Sequence, residues 1–485
     1  MTRIALVSSE PLRSRVAGIG VRYLELARRL PREGLEVVAV SPAEPEETPL
    51  APGTARRFEA GRLAELLADC NGAVAQGQLA NDLLLECPEM PVAVDLYDPW
   101  LVENLHYTPE LGLDPYRNDH ATWVLQLSRG DFFLCSSEEQ RLFYLGFLAA
   151  VGRVNPERLA RDPDLQELIV PVPFGVPEEL PPHRPYLEAA PAPGAPRQPE
   201  PAPAGGPGST SESGPEGGRP RRILFGALYD WYDPWTLLDA LELLERPGPP
   251  GELASGTKGA RPSGRGAGAA RPGPPPWELL FIRHPDPEGT PQRLMAEVER
   301  RCRRRGWWGS RVRALDWVPF ERRYDLLRDV DLLVAPHRPT LETRLSLRTR
   351  FLDALATGCP VVTTEGGTLS RLLAEHDAGR VVPPGDAGAL AAAVEELLRD
   401  PSARAARREG AARLARRFSW ERVLEPLVAF CRSPRRDPTK EAFAFRPPTI
   451  VPPDGLAFRL RRAATRRARE LGRRFAGTAR DRGSV

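Results

Sequence analysis

With 485 residues the chain is about three times the usual domain length, so at least two independent cores are expected, with material left over for linkers. Its 67 basic and 65 acidic residues nearly cancel to a net charge of +2, leaving no overall field to attract nucleic acid. No uncharged apolar run reaches the roughly 18 residues of a bilayer span, the apolar run at the N-terminus is too short for a secretory core, and the six cysteines lack CxxC spacing. The composition therefore points to a cytoplasmic protein with reduced thiols and neither a zinc site nor a disulfide framework.

The chain opens on a β-branched run, Ile4–Ser8, that enters a loop containing Gly18-Ile19-Gly20. Tyr23, Leu24, Leu26, Ala27 and Leu30 follow at helical spacing, and Leu35–Val40 reads as the next strand, so the opening is a βαβ unit. Further short strands are expected at Gly72–Ala75, Val92–Leu96, Phe132–Cys135 and Leu168–Val172, with amphipathic segments between them. The first domain is accordingly α/β and spans residues 1–180. Residues 181–220 are expected to form a linker, because from Ala189 to Pro220 the chain is Pro, Ala, Gly, Ser and Glu and cannot bury enough surface to offset its ordering entropy. Strand signals resume at Ile223–Phe225 and a helix at Pro234–Leu244, before a second Pro/Gly-rich stretch, 247–276, that reads as a loop inserted in one repeating unit.

Beyond the insert, strands at Glu278–Ile282, Val312–Leu315, Leu332–Ala335, Pro360–Thr364 and Gly379–Val382 alternate with helices near Arg322–Leu327, Arg348–Thr357, Leu369–Glu375 and Ala387–Leu398. The second α/β domain is placed at residues 221–432, and residues 433–485 form an extension. Two tandem parallel-sheet domains put a cleft between the carboxyl ends of their strands, the default place for a ligand.

The most informative stretch is TLETRLSLRTRFLDALATGCPVVTTEGGTLSRLLAEHDAGRVVPPGD, Thr340–Asp386. Its buried strand empties into Glu365-Gly366-Gly367-Thr368 at a helix start, where glycines allow close backbone approach and free N–H groups face an anion. The order of helix, Gly-x-Pro-Val-Val strand, Gly-Gly, helix, Gly-x-x-Val-x-Pro-x-Asp and a later Phe418-Ser419-Trp420 resembles the donor domain of glycosyltransferase family 4, over roughly Ile223–Cys431 without the insert. Ala17-Gly18-Ile19-Gly20 is similar to that family's N-terminal loop. The resemblance implies a GT-B fold, two Rossmann-like domains facing a cleft, with that loop opposite the donor diphosphate.

Family members typically carry a pair of glutamates around this helix, the second touching the donor ribose. The matching positions here are Leu345 and Asp353, and the nearest upstream acid is Glu342. The usual Arg and Lys after the first strand of the second domain are replaced by Gly226-Ala227-Leu228-Tyr229-Asp230-Trp231, so other cations must meet the leaving diphosphate. Arg344 and Arg348, four apart and able to share a helix face, with Arg350 behind them, are the candidates, and guanidinium forks suit phosphate oxygens; a solvated arginine face is the alternative. The set ETRxSxRTRxLD resembles a subgroup of bacterial glycosyltransferases from surface-polysaccharide clusters, which also share features like Asp95-Leu96-Tyr97-Asp98-Pro99 and His284-Pro285.

In the first domain Asp95, Asp98 and Glu103 follow a strand end, where a carboxylate could meet an acceptor hydroxyl; N-capping by Asp98 is the structural alternative. Asp98, Arg344 and Arg348 are thus the catalytic candidates. Gly18, Gly20, Gly226, Asp230, His284, Glu342, Arg350, Asp353, Gly366, Gly367 and Thr368 are the donor-binding candidates. His284 and His337 each follow a strand and are expected at the cleft rim, as ligands or as satisfied loop histidines. No metal ligand set and no cofactor are expected, a nucleotide sugar serving as co-substrate.

The resemblance implies transfer of a hexose from a UDP- or GDP-sugar to a glycan or lipid-linked acceptor, with retention of configuration and without a metal ion. A catalytically inactive GT-B nucleotide-binding scaffold, or a sugar-nucleotide epimerase on the same fold, are the alternatives. After Pro453 the arginine-dense tail spaces Phe458, Ala464, Ala468, Leu471 and Phe475 so that they could share one helical face. It reads either as a peripheral contact with the inner face of the membrane or as a solvated or back-packed segment.

Overall fold

The structure, a computed structural model, describes residues 1–187, 220–246, 276–284 and 292–444. Most of the anticipated linker and insert, and the arginine-dense tail with its possible membrane contact, lie outside the described residues.

Seven parallel strands form the first sheet: β1 (Arg3–Ser8), β2 (Glu36–Ser41), β3 (Ala55–Arg57), β4 (Gly72–Gln76), β5 (Val92–Asp95), β6 (Phe132–Cys135) and β7 (Ile169–Pro171). Their order is β3-β2-β1-β4-β5-β6-β7, so the chain reverses direction across the sheet between β1 and β4. In register, Ile4 lies between Val37 and Gly72. Helices cover both faces, so β1, β4, β5 and β6 are buried almost throughout and read as continuous apolar runs.

The second sheet repeats the plan with six parallel strands: β8 (Arg221–Ala227), β9 (Trp277–Ile282), β10 (Val312–Leu315), β11 (Leu332–Ala335), β12 (Val361–Thr364) and β13 (Gly379–Val382). Their order is β10-β9-β8-β11-β12-β13, with the switch between β8 and β11. Helices Gly18–Arg29 and Pro234–Glu245 make the first crossover of each half. The helix Thr349–Thr357 ends on Gly358, whose φ of +68° is the left-handed cap that glycine adopts without a Cβ penalty. Two Rossmann-like parallel-sheet domains are therefore present.

Two expectations need correction. Arg344 and Arg348 do not share a helix face: a short helix, Leu341–Leu345, ends before Ser346, and Arg348 is the extended residue that precedes the next helix, Thr349–Thr357. His337 is not at a rim. It is 2% exposed, packed between the rings of Tyr232 (4.8 Å) and Phe351 (5.9 Å), and burial with Arg348 nearby pushes its pKa well down.

The helix Trp420–Arg432 returns to the first domain, followed by a short last helix, Thr439–Ala442. Phe430 stacks on Phe132 with centroids 5.2 Å apart, and Trp420 packs against Phe174 at 5.0 Å. Just beyond, the buried Asp437 carboxylate takes Arg153 and Arg158, each at 2.6 Å, and Lys440 reaches Asp131 at 2.7 Å. These buried ion pairs clasp residues 433–440 onto the first domain. Among the described residues no helix is long and apolar enough to cross a membrane.

Candidate active site

The carboxyl ends of the two sheets face one another across a pocket of about 310 Å³. From the first half it takes Glu10 and Val16–Ile19 after β1, Tyr97 and Asp98 after β5, Glu103 and Tyr107 from the short helices that follow, and Phe174 after β7. From the second half come Gly226 within β8, Tyr229, Trp231 and Tyr232 after it, Trp317 after β10, Arg323, and Ser346–Arg350 with Asp353. The wall is rich in aromatic rings: Tyr229 and Trp231 stack in parallel at 4.7 Å, and Tyr107 meets Trp231 edge-on at 6.2 Å. Trp231 Nε1 is buried with no hydrogen-bond partner among the described residues, so one polar atom of this wall is unsatisfied by them.

Hydrogen bonds tie the halves together around the pocket. Tyr97 Oη donates to the Leu347 carbonyl (3.1 Å), Trp317 Nε1 to the Val16 carbonyl (2.8 Å) and the Ser346 hydroxyl to Glu103 (3.2 Å). Arg323 Nη2 donates to Glu25 at 2.6 Å while its Nε lies 3.5 Å from Asp353. That buried guanidinium joins the first helix of one domain to the ribose-candidate carboxylate of the other.

The charges are sorted. Arg348 spreads its fork over Glu342, both contacts 2.6 Å, above the rings of Tyr232 and Trp231. Burial disfavours the cation, but Glu342 outweighs it and holds the Arg348 pKa up. Glu342 has no exposed surface, whereas Arg348 lies on the pocket wall, so the pair is buried on its acidic side and meets the pocket through the guanidinium. Arg350 forms no ion pair among the described residues. Asp353 is pushed up by burial and pulled back by Arg323 and Arg350. The second-domain end of the pocket therefore offers a free guanidinium beside a partly neutralised carboxylate.

The first-domain end is acidic. Asp95 is spent on Arg22, 2.7 Å away and fully buried with it. Asp98 makes no hydrogen bond or ion pair among the described residues, and burial together with Asp95 and Glu10 pushes it up to about 7. Glu103 is raised well above the usual range by burial and by Asp98 and Glu342. Asp98 does not cap the following helix, whose N-cap residue is Pro99 and receives no side-chain bond. Its carboxyl thus faces the pocket with a pKa suited to accepting a proton near neutrality.

Glu10 was not anticipated, as nothing in its loop marks it. Its carboxylate accepts the N–H of Ala17 and, at 2.5 Å, of Gly20, so the N-terminus of helix Gly18–Arg29 already holds an anion of the chain itself. Gly18 lies on the pocket wall, whereas Gly20 is turned to Glu10, where a Cβ would meet Val16 at 2.5 Å. Tyr97, Tyr107, Trp317, Arg323 and Ser346 were likewise unanticipated, because they come together only through the fold.

The remaining candidates fall outside the pocket wall. Arg344 is exposed. Asp230 is buried, 3.6 Å from Arg293, and His284 packs edge-on to Tyr229 at 5.5 Å. Gly366 has φ +124°, and a Cβ on Gly367 would lie 2.9 Å from the Thr343 carbonyl, so the glycine pair is needed for close packing on Thr343. Thr368 donates its hydroxyl to Glu139 of the first domain at 2.8 Å. Among the described residues no group of His, Cys, Asp and Glu is arranged to hold a metal ion.

Comparison with known proteins agrees with this architecture. Residues 279–400 match the family model described as glycosyl transferases group 1. A D-inositol 3-phosphate glycosyltransferase of Corynebacterium urealyticum is 43% identical over 82 residues, 17% of this chain and 19% of that protein. A phosphatidyl-myo-inositol mannosyltransferase of Mycolicibacterium smegmatis is 32% identical over 112 residues, 23% of this chain and 28% of that protein. The matches thus span less than a third of either curated relative. Among solved structures, sucrose-phosphate synthase of Thermosynechococcus elongatus (TM-score 0.57, 16% identity) and Anabaena HepE in complex with UDP-glucose (0.56, 14%) each align over 89% of this chain, and over 98% and 100% of their own. The chain therefore has the GT-B fold of glycosyltransferases, and its second half carries the glycosyl transferases group 1 domain over residues 279–400.

Proposed function

We propose that this protein transfers a hexose from a UDP- or GDP-sugar to a hydroxyl of a glycan or lipid-linked acceptor in the cleft between its two halves. The observation that carries this reading is the sorting of charge along one pocket, with Arg350 and Asp353 at the second-domain end and Asp98 and Glu103 at the first-domain end. HepE, which shares the fold, is described in complex with UDP-glucose. In this reading the donor diphosphate lies toward Arg350, the ribose toward Asp353, and the aromatic wall of Tyr229, Trp231 and Tyr107 stacks on sugar rings. Arginine, rather than a metal ion, meets the leaving diphosphate, and retention of configuration follows the family resemblance. The reaction is read as cytoplasmic.

Asp98 takes the proton of the acceptor hydroxyl. A correctly placed base of this kind contributes about 10²–10⁴-fold. Release of nucleoside diphosphate from a panel of UDP- and GDP-hexoses tests the reading: wild type turns over at least one donor, and Asp98→Asn loses that turnover by about this factor while still binding the nucleotide.

A second reading, a nucleotide-binding scaffold without turnover, is favoured by one feature. The N-terminus of helix Gly18–Arg29, on the pocket wall, already meets an acid of the chain itself: Glu10 accepts the amides of Ala17 and Gly20. Nucleotide binding without turnover of any donor would decide for it.

A further inference from the structure

A row of alternating charges crosses from the first half of the molecule to the second-domain end of the pocket. It begins at Glu25 on helix Gly18–Arg29, which does not line the pocket and whose two oxygens are divided between Arg29 (2.8 Å) and Arg323 (2.6 Å). Arg323 opens helix Arg323–Asp329 of the second half and spends the rest of its fork on the Phe320 carbonyl (2.9 Å) and the Tyr324 hydroxyl (2.8 Å). Its guanidinium lies over the rings of both residues, 4.3 and 4.2 Å from their centroids. What is left for Asp353 is Nε, which has no hydrogen-bond partner and stands 3.5 Å from the carboxylate, longer than an ordinary hydrogen bond. Asp353, on the pocket wall, is thereby kept near a cation without having its oxygens taken up.

One guanidinium between two buried carboxylates can serve either. An arginine fork closes bidentately on a carboxylate when nothing else holds it, and that geometry occupies both acceptor oxygens. Glu25 is what holds it here. Burial works against the Glu25 charge, but Arg323 and Arg29 outweigh it and keep its carboxyl below the ordinary range. Resting on the glycosyl-transfer reading above, we propose that Glu25, without touching the donor, is a positioning residue for it: it holds Arg323 back from Asp353 and so leaves the Asp353 oxygens free to accept the ribose hydroxyls. The ribose site of the second half is thus completed by a carboxylate of the first.

The test measures binding of UDP or GDP, and of the matching 2′,3′-dideoxynucleoside diphosphate, to the full chain by titration calorimetry. Wild type is expected to bind the ribonucleotide at least about tenfold more tightly, the scale of lost hydrogen bonds to a charged acceptor. Glu25→Gln, which keeps the shape and removes the charge, should shrink that preference to less than about threefold, while affinity for the dideoxy analogue changes by less than about twofold. Glu25→Asp, which keeps the charge on a shorter stem, should hold the preference above about threefold. A purely structural role orders the two variants the other way, because Gln fills the space of Glu and Asp does not. A preference that survives Glu25→Gln, one that is lost in Glu25→Asp, or an equal loss of both ligands in Glu25→Gln overturns the proposal. So does wild type binding both ligands equally, which leaves nucleotide binding and the glycosyl-transfer reading standing. Failure of wild type to bind either ligand counts against that reading first and takes the proposal with it.

Discussion

Asp98 and Arg348 are neighbours in one electrostatic system, but they predict different experiments. Asp98, pushed up to about 7 by burial and by Asp95 and Glu10, is ionised only as pH rises through neutrality. As the base, it makes kcat/KM climb with pH up to about 7 and then level, and Asp98→Asn removes that limb of the profile. Stability runs the other way. The folded state keeps a proton that the unfolded chain releases near pH 4, so this group lowers stability progressively between about pH 4 and 7. The slope of urea midpoints over that window should flatten in Asp98→Asn. Arg348 and Glu342 form a buried pair, and removing one partner strands the other. Arg348→Leu alone is expected to cost about 3–5 kcal/mol by urea unfolding, and the double replacement Arg348→Leu with Glu342→Leu distinctly less.

Among the elements, the segment from Thr340 to Asp386 was the most legible, because its strand Val361–Thr364 is buried on both faces and its turns need glycine for stated reasons. At Gly366 the backbone has φ +124°, so Gly366→Ala is expected to destabilise by about 1–3 kcal/mol, read as a lowered Tm. The boundary between Leu341–Leu345 and Thr349–Thr357 was not legible. The run LETRLSLRTRFLDALAT keeps helical spacing across Ser346-Leu347-Arg348, and in the fold this stretch is instead held by Tyr97 on the Leu347 carbonyl, Glu103 on Ser346 and Glu342 on Arg348. The short edge strand β3, Ala-Arg-Arg, carries no β-branched pattern and was missed for that reason. Site residues divide the same way: Gly18, Asp98, Arg350 and Asp353 could be found from motif and position, while Glu10, Tyr107 and Arg323 reach the pocket only through tertiary packing.

At the scale of the molecule, two parallel sheets are held over one pocket by contacts that cross between them and by a C-terminal segment that returns to the first domain. Asp437 anchors that return on two buried arginines, Arg153 and Arg158, which hold its carboxyl far below the ordinary range despite burial. This contribution is present above about pH 4 and is lost as pH falls further. Asp437→Asn leaves both guanidiniums under-compensated and should cost about 3–5 kcal/mol at pH 7 by urea unfolding.

In the proposed reaction the pocket takes a nucleoside diphosphate at its Arg350 end, and thermal unfolding with UDP, GDP and their hexoses measures that binding. At about 100 times its Kd a true ligand adds about 2.7 kcal/mol of stability. At least one of these ligands should therefore raise Tm measurably, and Arg350→Ala should abolish the rise while leaving the unliganded Tm close to that of wild type. If no nucleotide moves Tm, or if the shift is unchanged in Arg350→Ala, the donor is not bound at this end of the pocket and the account is wrong.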